Sequence, residues 1–221
     1  MLYLSDELYE ETKEIALGKS LRSPLLIELS EWFLRTYSVK ILNIKFTKLQ
    51  SSSNNSNMLY VIIETAEDCQ KMYIGTFELN EEYQKEIAKE FQRLAIKHGF
   101  ATQDQLQDLF VMYNDFSQEA KTDANRKAAD EVQRRIKEKY PMVWDIFTEH
   151  FGSVVFYYSD LEIAQNESSG ISKLITEDYY TVLKKYDELG YFSKANISLE
   201  FDSKENLDKN YQGNLFYYSK R

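Results

Sequence analysis

Seven glycines and two prolines in 221 residues leave this chain few places to turn sharply. Glycine enters left-handed backbone freely, and proline removes an amide donor. Their scarcity commits most of the chain to long helices and regular strands, and it suits a loop-built enzyme poorly. Hydrophobic residues make up 43% and charged residues 29%, as in ordinary globular chains. The length suffices for one large domain or two small ones.

The apolar spacing predicts helices over residues 5–17 and from Ser23-Pro24 onward, the second with serine as N-cap and proline in the first helical position. Leu25, Leu26, Leu29, Trp32, Phe33 and Tyr37 then share one broad face. Residues 41–46 alternate as a half-buried strand, and residues 58–65 form its hairpin partner across a polar loop. Residues 72–79 predict a third strand. Asn80 caps the next helix, with Glu81 and Glu82 in its first turn. Thr102 and Gln105 fit a capping box. A strand is predicted near 108–114, a helix over 121–151 broken near Pro141, and a strand over 153–165. A helix follows over 176–189, then strands at 196–201 and 214–219. This order predicts an α+β fold in which an antiparallel or mixed sheet is covered by helices. A composition shift near residues 99–108 separates residues 1–100 from 101–221. Two similar α+β halves and one continuous domain both fit this pattern.

Phe-Tyr-Tyr-Ser occurs at 156–159 and again at 216–219. If both copies are strands, Tyr157 and Tyr217 lie opposite their Phe-Tyr neighbours. One reading is cross-strand aromatic packing within a sheet. The other is an outer-face contact patch centred on Tyr157 and Tyr217, because tyrosine contributes contact area at little entropic cost.

Several candidates for chemistry have simpler explanations. His98 and His150 each end a predicted helix just before a glycine, where a cation complements the dipole and glycine supplies the cap. Cys69 is flanked by acids, which raise a thiol pKa and oppose nucleophilicity. One cysteine and two separated histidines lack zinc-ligand spacing, and neither a phosphate loop nor a dinucleotide fingerprint is present. The basic stretch 121–139 carries Arg134 and Arg135 among interspersed acids. It reads as an ion-paired solvated face, or as a site for phosphate or an acidic partner. Asp115, Asp160 and Asp202 fall at predicted strand ends, where three carboxylates could converge on Mg²⁺. Asp also favours turns at such ends.

The formal net charge is −9, which argues against a nucleic-acid coat protein, since phosphate contacts need Lys and Arg. No apolar run approaches the ~20 residues of a bilayer span, and the N-terminal sequence lacks the pattern of a secretory signal. The expectation is therefore a cytoplasmic, non-catalytic protein-interaction module: an adaptor, a regulator or an immunity-like partner. It would need no cofactor, and its acidic, tyrosine-rich surface would bind a protein partner of basic character. The alternative is a Mg²⁺-dependent enzyme acting on a phosphate-containing substrate, with the three aspartates as ligands and an arginine as clamp. A homodimer formed through a C-terminal edge strand, guarded by Lys220 and Arg221, is a third reading.

Overall fold

The computed structural model describes residues 4–50, 55–75, 78–149 and 152–220. Over these residues the chain is α+β, with nine α-helices and three small open sheets. It divides into two compact units, residues 1–119 and 120–221. Among the described residues no helix is long and apolar enough to cross a membrane.

The first unit opens with helices α1 (Asp6–Ala16) and α2 (Pro24–Tyr37). Ser5 and Ser23 cap them by accepting hydrogen bonds from the Leu8 and Leu26 amides, the role short hydroxyl side chains play at an N-terminus. Strands β1 (Ile41–Gln50) and β2 (Asn55–Ile63) pair antiparallel. Helix α3 (Ala66–Gln70) follows, then a two-stranded hairpin of β3 (Tyr73–Ile74) and β4 (Glu78–Leu79). Helix α4 (Glu81–Lys97) is capped by Asn80, and a 3-10 turn (Gln103–Leu106) leads to β5 (Leu109–Asp115), which runs parallel to β2. The main core gathers Leu29 and Phe33 of α2, Val61 and Ile63 of β2, Phe91 and Leu94 of α4, and Val111 of β5. The expected boundary fell near residue 100. In the structure β5 pairs with the hairpin of the first unit, and that unit extends to residue 119.

Helix α5 (Phe116–Lys139) leads into the second unit. There β6 (Val143–Thr148) and β7 (Gly152–Tyr157) form an antiparallel hairpin. Helices α6 (Asp160–Ser168) and α7 (Ile171–Leu183) follow, and β8 (Ser198–Ser203) returns parallel to β7. Helices α8 (Lys204–Tyr211) and α9 (Leu215–Tyr218) close the chain. One face of this sheet packs into a core with α5 and α7 through Ala128, Val132, Val155, Tyr157, Tyr179 and Leu183. The other face holds a smaller cluster of Val154, Phe156, Leu207 and Tyr218.

Both units are built on one plan. In each, the hairpin's first strand carries an irregularity at its start: Ile41 pairs with Ile63 and Asn43 with Ile62, just as Val143 pairs with Tyr157 and Asp145 with Phe156. The parallel strand then joins in matching register, Ile63 opposite Asp115 and Tyr157 opposite Ser203. Two residues beyond the central strand, Thr65 and Ser159 cap the next helix. Even the backbone bond that closes the end of the sheet recurs. The Ser117 amide donates to the Glu64 carbonyl at 3.0 Å, and the Glu205 amide to the Tyr158 carbonyl at 3.3 Å.

A buried polar cluster ties the second hairpin to its helices. Asn125, 1% exposed, donates through Nδ2 to the carbonyls of Gly152 at 2.7 Å and Glu149 at 3.1 Å. The Tyr179 hydroxyl donates to Asn125 Oδ1 and lies 3.1 Å from Ser153 Oγ. At Gly152 a Cβ would stand 2.7 Å from Ser198 Oγ and 2.8 Å from the Ser198 carbonyl oxygen. Glycine is therefore what lets β7 and β8 approach at that point.

Several expected elements differ. The strand predicted over 72–79 is the β3–β4 hairpin instead, and the helix predicted over 176–189 runs from Ile171 to Leu183. The helix predicted over 121–151 ends at Lys139, and β6 follows, because Pro141 stops the helix and Val143, Trp144, Ile146 and Phe147 favour a strand. The strand predicted over 153–165 ends at Tyr157. Ser159 and Glu162 form a capping box that starts α6 instead. Residues 215–218 are helical rather than a strand, with Asn214 Oδ1 accepting from the Phe216 amide. The two Phe-Tyr-Tyr-Ser copies thus have opposite burial. Phe156 and Tyr157 are buried and Tyr158 exposed, whereas Phe216 and Tyr217 are exposed and Tyr218 buried. Residues 214–219 form no edge strand, and Arg221 and His150 lie outside the described residues.

Candidate binding groove of the second unit

The site starts at the end of β7. The Ser159 amide and hydroxyl both donate to Glu162 Oε2, at 2.9 and 3.2 Å, and turn the chain from strand into α6. That helix presents Ile163 and Glu167, one turn apart, on one side. Gly170 takes the left-handed backbone needed to reverse direction into α7. Helix α7 is amphipathic in a useful sense. Ile175, Tyr179, Val182 and Leu183 are buried in the core, while Ser172, Lys173, Thr176, Glu177 and Tyr180 line the opposite side at spacings of one and two turns. The loop after α7 is fixed by Asp187, whose carboxylate accepts from the amides of Tyr191 at 2.9 Å and Phe192 at 3.0 Å. It delivers Lys194 and Ile197 to the same place, and Phe201 of β8 completes it.

The result is a groove of about 630 Å³, within the size range of ligand sites. Ile163, Ile197, Phe201 and the Tyr180 ring supply an apolar floor. Beneath it, Phe201 stacks on Tyr157 with ring centroids 5.8 Å apart and planes 11° apart. Burial pushes the Tyr157 hydroxyl above its ordinary pKa, although its 2.9 Å hydrogen bond with Ser172 Oγ works the other way. The floor is therefore held by a buried ring in the central strand.

The rim is charged with both signs. Glu167, Lys173, Glu177 and Lys194 surround the floor, and none of the four forms an ion pair among the described residues. Elsewhere in this unit charges are commonly satisfied locally. Lys184 meets Asp187 at 2.6 Å, Lys139 meets Asp178 at 2.6 Å, and Lys185 meets Glu131 at 2.7 Å. Unpaired charges of both signs around an apolar floor leave the groove able to receive a polypeptide segment, with complementary charges flanking a hydrophobic side chain.

Of the residues singled out from the sequence, Tyr157 lies beneath the groove floor, and none of them lines the groove itself. Tyr157 is fully buried, because β7 is the central strand of its sheet and is covered on both faces. Tyr217 is 51% exposed, beside the exposed Phe216, over whose ring Lys220 stands at 5.3 Å. Arg134 and Arg135 pair with Glu138 at 3.3 Å and Glu131 at 2.7 Å on the surface of α5. The three aspartates are not gathered. Asp115 ends a strand of the first unit and accepts from the Ser117 amide and hydroxyl at 3.0 and 2.8 Å. Asp160 accepts from Ser203 Oγ, and Asp202 accepts from Asn206 Nδ2 at 2.9 Å and the Tyr218 hydroxyl at 2.5 Å. Among the described residues no three His, Cys, Asp or Glu side chains are grouped to hold a metal ion. His98 Nε2 lies 3.0 Å from Glu28 Oε1, which also accepts from Lys97 at 2.8 Å. Cys69 is buried, and its thiol is pushed up to about 12 by burial and by the charge of Asp115.

The sequence hides the groove because residues 153–165 read as one strand, which puts Ile163 within that strand and Glu167 in the turn after it, whereas α6 sets them one helical turn apart. The signal that finds them is Ser159-Asp-Leu-Glu162, a helix start directly after an aromatic strand. No protein-family model matches the chain, and no curated protein is similar to it in sequence.

Proposed function

We propose that the chain is a non-catalytic, cytoplasmic protein-interaction module and that the groove between α6, α7 and β8 is where it receives a segment of its partner. The observation that carries this reading is the unsatisfied, mixed-sign rim over an apolar floor. An interface of this kind takes its energy from a few buried side chains at the centre and its register from charges at the edge. The chain's net charge of −9 favours encounter with a partner of basic character, through long-range steering that salt weakens.

The test is affinity capture from the native cell extract with wild type beside a Lys173→Glu/Lys194→Glu variant. Both changes are at exposed positions, and an unchanged melting curve verifies the fold. The expected result is a partner held by wild type, released by moderate salt and lost by the variant. A partner held equally by both proteins places the interaction away from the groove.

A further inference from the structure

The common plan of the two units makes their positions comparable one by one, and the comparison identifies what belongs in the groove. With Ile63 matching Tyr157 and Asp115 matching Ser203, Tyr113 of the first unit corresponds to Phe201 and Leu109 to Ile197. With Thr65 matching Ser159 as helix cap, Cys69 corresponds to Ile163. Three residues of the groove floor therefore have counterparts in the first unit, on the same face of the equivalent sheet.

In the first unit that place is filled. Tyr73, on the short β3–β4 hairpin, sets its ring edge-on to Tyr113 with centroids 5.9 Å apart and planes at 75°. Tyr113 and Cys69 are only 5% and 8% exposed. In the second unit the connection is different. Helix α6 runs on to Ser168 and α7 begins at Ile171, so no counterpart of the β3–β4 hairpin exists. Phe201 and Ile163 are left half-buried, and the groove lies over them.

We propose that the groove accepts an aromatic side chain carried on a tight turn of a partner protein, seated on Phe201 as Tyr73 is seated on Tyr113. This inference rests on reading the groove as a protein-recognition site. An aromatic ring set edge-on to another is favoured over an aliphatic group by its quadrupole. The groove has room for a ring together with the backbone turn that carries it. The hairpin of the first unit also shows the flanking chemistry that suits the rim: Lys71 precedes it and Glu78 lies within it. A segment of that kind offers one charge of each sign to Glu167 or Glu177 and to Lys173 or Lys194.

The probe is a backbone-cyclised peptide copying residues 71–80, Lys-Met-Tyr-Ile-Gly-Thr-Phe-Glu-Leu-Asn, titrated into the ¹⁵N-labelled full chain. A second peptide carries leucine in place of both aromatics. The expected result is a saturable set of shifts confined to α6, α7 and residues 194–201, with the leucine peptide at least about tenfold weaker, the scale of an aromatic anchor in a pocket. Equal affinity of the two peptides at the groove overturns the aromatic preference and leaves the interaction reading standing. Shifts that avoid the groove, or none up to millimolar peptide, also overturn the inference. The interaction reading is decided separately by the Lys173→Glu/Lys194→Glu capture. No variant of the protein is required, so a failure to fold cannot imitate a negative result.

Discussion

The Tyr179→Phe substitution removes one hydroxyl from the second unit's buried polar cluster, with its contacts to Asn125 and Ser153, and tests whether that cluster fastens the β6–β7 hairpin. Tyr179 is 1% exposed, and losing its hydroxyl changes the side-chain volume little. Ser153 Oγ keeps a donor path to Thr148 Oγ1 at 3.3 Å. Asn125 Oδ1 has no such alternative and becomes a buried acceptor without its donor. Leaving one such group unsatisfied costs about 1–3 kcal/mol, and the change is predicted near 1.5 kcal/mol. Asn125→Ala removes more bonds, but the structure limits the damage. The Gly152 carbonyl still receives the Glu149 amide at 2.9 Å, and the Tyr179 hydroxyl still has Ser153. Its cost should be about 2–4 kcal/mol, including the cavity left behind. Because both changes delete the same Tyr179–Asn125 bond, the double variant should fall short of their sum by about 1 kcal/mol. Native-state hydrogen exchange of the β6 and β7 amides reads these energies locally. A Tyr179→Phe cost below about 0.5 kcal/mol, or strict additivity with Asn125→Ala, would refute the reasoning.

Gly152→Ala should destabilise the chain by about 1–3 kcal/mol through overpacking, seen as a lower melting temperature. Adding Ser198→Gly should recover only part of the loss, since the Ser198 carbonyl oxygen would still stand 2.8 Å from the new Cβ; full recovery would contradict this. Glu131 accepts hydrogen bonds from Lys185 at 2.7 Å and Tyr186 at 2.9 Å, and Arg135 pairs with it at 2.7 Å. These partners, Lys185 first, hold its carboxyl below the ordinary 4.5. Below that value the unfolded chain binds the proton more readily, so this contribution is complete above pH 4.5 and declines as the solution becomes more acid. Glu131→Gln should flatten the dependence of melting temperature on pH below 4.5, and an unaltered acid slope in the variant would show that the cluster does not contribute.

The sequence reveals elements best where a cap and a periodic face agree. Ser23-Pro24 starts α2, and its buried Leu25, Leu26, Leu29 and Phe33 fall on the expected face. Asn80 starts α4 as its position implies, accepting from the Glu82 and Tyr83 amides at 3.1 and 3.3 Å. The pattern fails where local preference and tertiary packing disagree. Leu215, Phe216, Tyr217 and Tyr218 favour a strand by residue type. Burial of Tyr218 against Phe156 and Tyr211, with its hydroxyl on Asp202, holds them in a helical turn. Tyr157 shows a different limit. Alternation separates the two faces of a strand, but it cannot tell that a central strand is covered on both. The groove was illegible for a further reason: it is assembled from α6, α7, a loop and β8, and depends on α6 ending the strand reading at Ser159.

The repeated plan has a consequence for how the chain's positions can be compared. The pairs Cys69 and Ile163, Tyr113 and Phe201, and Asp115 and Ser203 are different side chains in equivalent places of one backbone plan. The strand register and the helix-capping positions are common to both units, while the connection between the central and parallel strands differs. Exchanging the members of a pair between the units therefore reads what each side chain contributes against a matched backbone pattern.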